Sequence, residues 1–318
     1  MKKPSILITG ASGLIGSNFL RLLSVKRNSD TTLDFSDRLL SAKIICPPHN
    51  QMDISNLKQI KNIFDRYSPD VVIHFAAYRD ATSAELERDN RKGLVWKSNV
   101  DGVKNISKLC AETNAYLIHI STDMVFSGKK HDPGPYSENH PTEKYLKNLS
   151  WYGWTKKIGE DLIKEYCNVY SIVRIGNVTV PIYDPKLDYI GKIVWLYNNS
   201  NLYPLFADQK ITLTYVPDLA NTVKSLLIER KFGTFHVASK DIISPFELAQ
   251  YVVAKLGGDT VGIKSNSIND YLKNFPNRYP KSGGLMVAKT QEATKVKLSS
   301  WRNIADYFVK YMRIMKLN

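Results

Sequence analysis

Tyr152 and Lys156, four positions apart, have a spacing with an immediate chemical use. Helix-compatible sequence follows as far as Tyr166, so the spacing predicts a phenol and an ammonium on one helical face, about one turn apart. A free tyrosine is a poor acid–base group at neutral pH, with a pKa of roughly 10. A neighbouring lysine cation stabilises the phenolate and draws that value toward the working pH. Such a pair can protonate or deprotonate an oxygen. The same spacing also occurs on ordinary solvated helix faces, so its meaning depends on what lies upstream.

Upstream, Ser5–Thr9 is a short apolar run that reads as a buried parallel strand. It leads into Gly10-Ala11-Ser12-Gly13-Leu14-Ile15-Gly16 and then a helical pattern to about Val25. Strand, glycine turn and helix in that order are the context of a dinucleotide fingerprint. Gly10 permits the tight turn, Gly13 lets the backbone approach a pyrophosphate, and Gly16 lets helix and strand pack closely. The spacing here is Gly-x-x-Gly-x-x-Gly.

Residues 27–41 look like an irregular insertion, and 43–46 like the second strand. Asp53-Ile54 precedes a helix at 57–67. Residues 71–77 read as the next strand, ending in the small Ala76 and Ala77, beside which a cofactor can lie. Asn99 opens a helix to about 112. Residues 116–122 form a strand with Ser121 and Thr122 at its C-terminal end, the edge at which open parallel sheets bind ligands. Further strands are expected at 169–174, 211–216 and 233–238, and helices at 218–228, 245–256 and 301–315. The alternation predicts an α/β fold, a doubly wound parallel sheet of Rossmann type with a smaller C-terminal substrate lobe. Residues 1–177 and 209–240 would make the dinucleotide-binding domain, and 178–208 with 241–318 the substrate-binding lobe.

The chain has 318 residues, 43% hydrophobic and 23% charged, enough for a large core. No apolar run approaches the roughly 18 residues of a membrane span, and no secretory leader is legible. Cys46, Cys110 and Cys167 are scattered, make no metal or disulfide pattern, and read as small hydrophobes in a reducing cytoplasm. The net charge of +14 is spread along the chain without a basic tract. It favours phosphate-bearing small ligands over specific nucleic-acid binding.

Taken in order, the Gly10–Gly16 turn, Asn99, Ser121-Thr122 and Tyr152…Lys156 resemble the short-chain dehydrogenase/reductase superfamily in its extended, nucleotide-sugar branch. Within that branch the chain resembles the dTDP-4-dehydrorhamnose reductase family. The resemblance is carried also by Ser121-Thr122-Asp123-Met124-Val125-Phe126-Ser127-Gly128, by Thr212 to Ala220, by Gly233-Thr234-Phe235-His236 and by Arg278-Tyr279-Pro280. It implies an oxidoreductase that delivers hydride to C4 of a nucleotide-linked 4-keto-6-deoxysugar. Tyr152 would be the general acid, Thr122 would hydrogen-bond the same oxygen, and Lys156 would hold the nicotinamide ribose and lower the Tyr152 pKa.

Gly10, Ser12, Gly13, Leu14, Ile15, Gly16, Asp53, Ile54, Ala76, Ala77, Tyr78, Asn99 and Ser121 would join Tyr152 and Lys156 in binding cofactor. Asp53 and Ile54 would lie near the adenine, and Asn99 would support the Lys156 region. Thr122, Asp123, Val125, Phe126 and Asn177 would face substrate. The resemblance also implies a homodimer. Two other readings stand beside it: a regulatory subunit resembling that of methionine adenosyltransferase, and a sugar-nucleotide 4-epimerase.

Some residues depart from the family's pattern. Asp123-Met124 follows Thr122 where dehydratases carry Asp-Glu, which argues against dehydration; Asp123 either binds substrate or caps its turn. Residues 144–149 look like an added piece, Asn177 stands where a tryptophan is common, and Arg79 precedes Asp80 and Glu85, so no metal is expected. His74 and His119 read as core or cofactor-floor residues, and His236 as core or facing the substrate lobe. NAD-specific sites carry a carboxylate at the end of the second strand. If that strand is 43–46, Pro47-Pro48-His49-Asn50 has none, and His49, Lys43 or Arg38 would meet a 2′-phosphate. NADP (NADPH) is then the expected cofactor, with NAD tolerated. A competing alignment makes 31–35 the strand and Asp34 the ribose ligand.

Overall fold

The computed structural model describes residues 4–24, 42–181 and 188–317. The chain divides into two compact units. One comprises Met1–Val125, Thr142–Arg174 and Val223–Thr234; the other comprises Phe126–Pro141, Ile175–Thr222 and Phe235–Asn318.

In the first unit, β1 (Ser5–Thr9) leads to α1 (Leu14–Ser24), β2 (Lys43–Ile45), α2 (Leu57–Tyr67) and β3 (Val71–His74). The short helices α3 (Ala81–Ala84) and α4 (Leu94–Trp96) follow, then α5 (Gly102–Thr113), β4 (Tyr116–Thr122), α6 (Trp151–Tyr166) and β5 (Tyr170–Ile175). The sheet order is β2-β1-β3-β4-β5, with β9 (Gly233–Val237) at the far edge. β2, β1, β3 and β4 pair in parallel. Every residue of β1, β3 and β4 is buried. Burial along the whole strand is the signature of parallel strands covered on both faces.

Helices α2 and α5 press Ile60, Phe64, Ile106 and Leu109 against Leu7, Val72 and Leu117 of the sheet. Asn56 caps α2 by accepting the Gln59 N–H. Ser150 caps α6 by accepting the Gly153 N–H at 3.1 Å. Such caps satisfy donors that a helix N-terminus leaves open.

The expected elements are observed, with shifted ends. The strand expected at 71–77 stops at His74, and Phe75 to Ala77 leave the ladder. Asn99 does not open its helix. It lies inside a π-helical turn, Lys97–Asp101, that joins α4 to α5. Gly93 is the N-cap of α4, so the helical run starts at Leu94, five residues before Asn99. Residues 27–41, with Asp34 and Arg38, lie outside the described residues.

In the second unit β6 (Asn177–Thr179) pairs in parallel with β8 (Leu213–Tyr215), and β7 (Leu205–Phe206) with β10 (Ser265–Asn266). Its core joins α7 (Tyr189–Asn198), α9 (Pro245–Lys255) and α12 (Trp301–Leu317) through Ile193, Val194, Leu248, Val252, Ile304 and Phe308. A capping box formed by Ser244 and Glu247, with proline at its start, sets the first turn of α9. The sequence placed 126–141, 175–177, 209–222 and 235–240 with the first domain. In the structure they group with the second unit. The reasons are the β6–β8 pairing, the Tyr136–Leu285 bridge, and Glu138, which accepts both the Thr290 N–H and hydroxyl.

Candidate active site

The C-terminal ends of β1, β3 and β4 lie side by side in one unit, and the expected chemistry-bearing residues sit there. Past β1, Gly10 has φ +66°, and a Cβ on it would meet Ala76 N at 2.5 Å. A Cβ on Gly16 would overlap the Gly10 carbonyl oxygen. These two glycines are required by the fold itself. Gly13 is different: it is exposed, and its Cβ would meet only the Gly10 oxygen, at 3.3 Å. The protein does not fill the space above it, which suits a ligand lying against the turn at the N-terminus of α1. The first turn of α1 carries no acidic residue, so its partial positive charge is uncancelled for an anion. Ser12 is exposed, Ile15 half-buried and Leu14 buried.

Past β3, Ala76 and Tyr78 are half-buried and Ala77 is exposed. Asn99 clamps this loop. Its Oδ1 accepts the Tyr78 N–H at 2.9 Å, while its Nδ2 donates to the Tyr78 carbonyl at 3.0 Å and to Thr155 Oγ1 at 3.1 Å. Asn99 therefore ties the β3 loop to α6 one residue before Lys156. The π turn that holds it is a feature common at functional sites.

Past β4, Thr122 donates to Asp123 Oδ1 at 3.2 Å and accepts the Met124 N–H at 3.2 Å. Its hydroxyl also hydrogen-bonds the Tyr152 phenol. Asp123 takes backbone hydrogen bonds from its own turn, so the capping role is realised. Gly153 makes the approach of α6 possible, since a Cβ there would overlap the Met124 carbonyl oxygen. This glycine, next to Tyr152, is a site-shaping residue that the sequence reading passed over.

The electrostatics differ from the expectation. Burial pushes the Tyr152 phenol up to about 12; the Thr122 hydrogen bond and the Arg79 guanidinium oppose the rise, and the Asp123 carboxylate adds to it. The Lys156 ammonium is held by other groups. The lysine is 2% exposed, and its ammonium donates to the Ile120 carbonyl at 2.8 Å and contacts His119 Nε2 at 3.1 Å. Burial brings Lys156 down to about 8, against the pull of Glu160. Burial raises the Asp123 carboxyl to about 6, against hydrogen bonds from Thr122 and the backbone.

The i,i+4 spacing did place both side chains on one face. What lies against that face, a desolvated floor, was not written in the spacing.

The RmlD substrate binding domain matches residues 3–314. The chain belongs to that family. It is 28% identical over 266 residues to the probable low-salt glycan biosynthesis reductase Agl14 of Haloferax volcanii, covering 83% of this chain and 84% of that protein. To the dTDP-4-dehydrorhamnose reductase of Aggregatibacter actinomycetemcomitans it is 28% identical over 321 residues, covering 95% and 98%. Among solved structures, the dTDP-4-dehydrorhamnose reductase of Bacillus anthracis in complex with NADP superposes with a TM-score of 0.79 at 25% identity, covering 98% of this chain and 99% of that one.

Within this family frame, several expected contacts are engaged elsewhere. Val125 is fully buried, and its carbonyl accepts the Glu143 N–H at 3.0 Å. Phe126 is 1% exposed and stacks on Tyr136 with ring centroids 4.1 Å apart. Both side chains are packing residues rather than open substrate contacts. Asn177 begins β6 and donates to the Thr212 carbonyl at 3.3 Å.

Asp53 accepts from the Ser55 N–H and hydroxyl at the entry to α2, and Ile54 is buried against Gly102. His236 is fully buried, with Nδ1 3.0 Å from the Met286 carbonyl. Ser121 donates to Glu160 Oε1 at 2.6 Å, so its side chain faces the interior. Glu160 is itself fully buried and paired with Arg174 through contacts of 2.9 and 2.7 Å. That ion pair joins α6 to β5 beneath the site. Its signal in the sequence was a carboxylate one turn past Lys156 on the buried face, with an arginine inside an apolar strand. Among the described residues no group of three or more His, Cys, Asp or Glu side chains could hold a metal, and no helix is long and apolar enough to cross a membrane.

Proposed function

We propose that the chain is an NAD(P)H-dependent reductase of a nucleotide-linked 4-keto-6-deoxysugar, reducing C4 with Tyr152 as general acid. The observation that carries this reading is the convergence of Thr122, Tyr152 and Lys156 beside the open glycine turn, at the ends of adjacent parallel strands. A reduced nicotinamide bound along that edge supplies the hydride. The turn from Gly10 to Gly16 and the N-terminus of α1 receive the pyrophosphate.

Tyr152, with its proton held to about pH 12, arrives protonated at neutral pH, as reduction requires. It gives that proton to the carbonyl oxygen, while the Thr122 hydroxyl turns its proton from Asp123 to donate to the same oxygen. The Lys156 ammonium, one helical turn away, offsets the charge left on the phenolate.

The dTDP carrier and the rhamno configuration belong to the proposal through the named relatives. NADPH is the preferred cofactor in this reading. Residues 46–52, after β2, carry no carboxylate, and His49 is exposed there. Lys43 does not serve: it opens β2 and lies over the Tyr67 ring, 4.9 Å from its centroid. The reading also includes a cytoplasmic homodimer.

The test uses purified protein with dTDP-4-keto-6-deoxyglucose, the matching 3,5-epimerase and NADPH. Stoichiometric loss of reduced cofactor with formation of a dTDP-6-deoxyhexose is expected. Substrate interconversion without net cofactor oxidation would show a 4-epimerase instead. Full inactivity with this and related 4-keto sugars, alongside a stable complex with methionine adenosyltransferase, would show a regulator.

A further inference from the structure

One polar line in the interior has no part in the reaction as described. His74 ends β3, His119 lies on β4, and the two are partners in the parallel register. Their rings are 5.2 Å apart and tilted by 33°. Both are essentially inaccessible. His74 Nδ1 is 2.6 Å from Thr9 Oγ1, which already accepts the Ala76 N–H at 3.2 Å. The Thr9 hydroxyl proton has no other acceptor among the described residues, so it goes to His74 Nδ1, and Nε2 carries the ring proton.

On the other side, His119 Nε2 is 3.1 Å from Lys156 Nζ. An ammonium only donates, so Nε2 is the acceptor and Nδ1 carries the proton. His74 Nε2 and His119 Nδ1 are then buried donors without a partner among the described residues. Burial, reinforced by the Lys156 charge, holds His74 down to about 3 and His119 well below its ordinary value, so both rings are neutral.

Strand packing alone does not call for two neutral imidazoles with unpaired N–H groups, since an aliphatic side chain would fill the same space without the desolvated donors. We propose that His119 is a positioning residue for Lys156: its Nε2 lone pair and the Ile120 carbonyl fix two of the three ammonium protons and leave the third for the reaction. His74, anchored by Thr9, lies against the His119 ring from the neighbouring strand. The inference rests on the reading that Tyr152 and Lys156 serve a reduction.

Other charged and titratable groups surround the ammonium. Glu160 lies one turn along α6, held by Arg174 of β5; Tyr152 lies one turn back, with Asp123 and Arg79 acting on its phenol. Among these side chains His119 is the one hydrogen-bonded to Nζ. Removing it takes an acceptor from the cation and makes Lys156 lose its proton at lower pH.

The test compares His119→Gln, whose Oε1 replaces Nε2 as acceptor, with His119→Phe, which keeps the shape without the acceptor. In wild type the alkaline fall of kcat/KM follows Lys156. His119→Phe is expected to move it about one pH unit toward acid, and His119→Gln to leave it in place. A second readout needs no turnover: nitrogen-15 NMR of the cofactor-free wild-type protein. It should show His119 as the neutral Nδ1–H tautomer and His74 as the neutral Nε2–H tautomer from about pH 6 to 9.

An Nε2–H or titrating His119 overturns the proposal, as do coincident alkaline limbs in the two variants. If the Phe variant does not fold, the wild-type tautomers decide. The expected tautomers in a protein inactive toward every 4-keto sugar would instead refute the reductase reading and leave the Lys156–His119 contact standing.

Discussion

Arg174→Met isolates the ion pair beneath the site. Arg174 is 2% exposed and Glu160 fully buried. The substitution keeps the aliphatic length and removes contacts of 2.9 and 2.7 Å. Glu160 is left with the Ser121 hydroxyl at 2.6 Å and with Lys164 at 3.6 Å, whose side chain is 38% exposed and too screened to replace the guanidinium. Breaking a buried pair from one side typically costs about 3–5 kcal/mol. The variant can limit the loss by folding with Glu160 protonated. From an unfolded pKa of about 4.3, that route costs about 3.7 kcal/mol at pH 7 and about 1 kcal/mol at pH 5.

The sign follows from linkage. In wild type, desolvation is outweighed by Arg174, Lys164 and Ser121, and the folded-state pKa of Glu160 is depressed. Its contribution is therefore present above the unfolded pKa and lost as pH falls through the folded one. In the variant the folded pKa is raised, so the destabilisation grows as pH rises. Urea unfolding of both proteins at pH 5 and 7 measures this. The expected difference is about 3–4 kcal/mol at pH 7, shrinking to about 1 at pH 5, with Glu160→Gln/Arg174→Met recovering much of it. A difference below about 1 kcal/mol at pH 7, or one independent of pH, would refute the argument.

Three further outcomes are expected. Tyr152→Phe removes the proton donor and keeps the ring, so kcat should fall about 10²–10⁴-fold with cofactor affinity little changed; near-normal turnover would remove Tyr152 as the acid. Gly13→Val should fold, with an unfolding midpoint near wild type, yet fail to bind NADPH in a fluorescence titration, whereas Gly16→Val should lose stability because its side chain meets the Gly10 backbone. Retained binding in the Gly13 variant would show that the turn is not the phosphate site. Comparison of kcat/KM should favour NADPH over NADH, and His49→Ala should narrow that ratio; a strong preference for NADH would refute the assignment of the β2 end as the 2′-phosphate site.

The features that local pattern determines were legible in the sequence. The helix at Leu57–Tyr67 and the strand at Tyr116–Thr122 appear at the residues that periodicity indicates, because each is specified by its own neighbours and caps. The glycine turn was legible for the same reason. Gly10 and Gly16 answer to contacts within a few residues or with the loop after β3, and Gly13 stands out as the one that the fold does not require. The order of these elements carried the family, and with it the pairing of Thr122, Tyr152 and Lys156.

What only the tertiary structure decided is the state of those groups. Helical spacing puts Tyr152 and Lys156 on one face, but the medium that face meets comes from β3 and β4. There His119 and the Ile120 carbonyl claim the lysine, and burial raises the phenol. Ser121 turns inward because Glu160, 39 positions away, is held by Arg174 from another strand. Val125 and Phe126, adjacent to the site in sequence, are closed off by packing. Asn99 serves through a π turn rather than a helix start. A pKa or a side-chain direction is fixed by desolvation and by partners distant in sequence, and neither is encoded in the spacing of the residues that carry the chemistry.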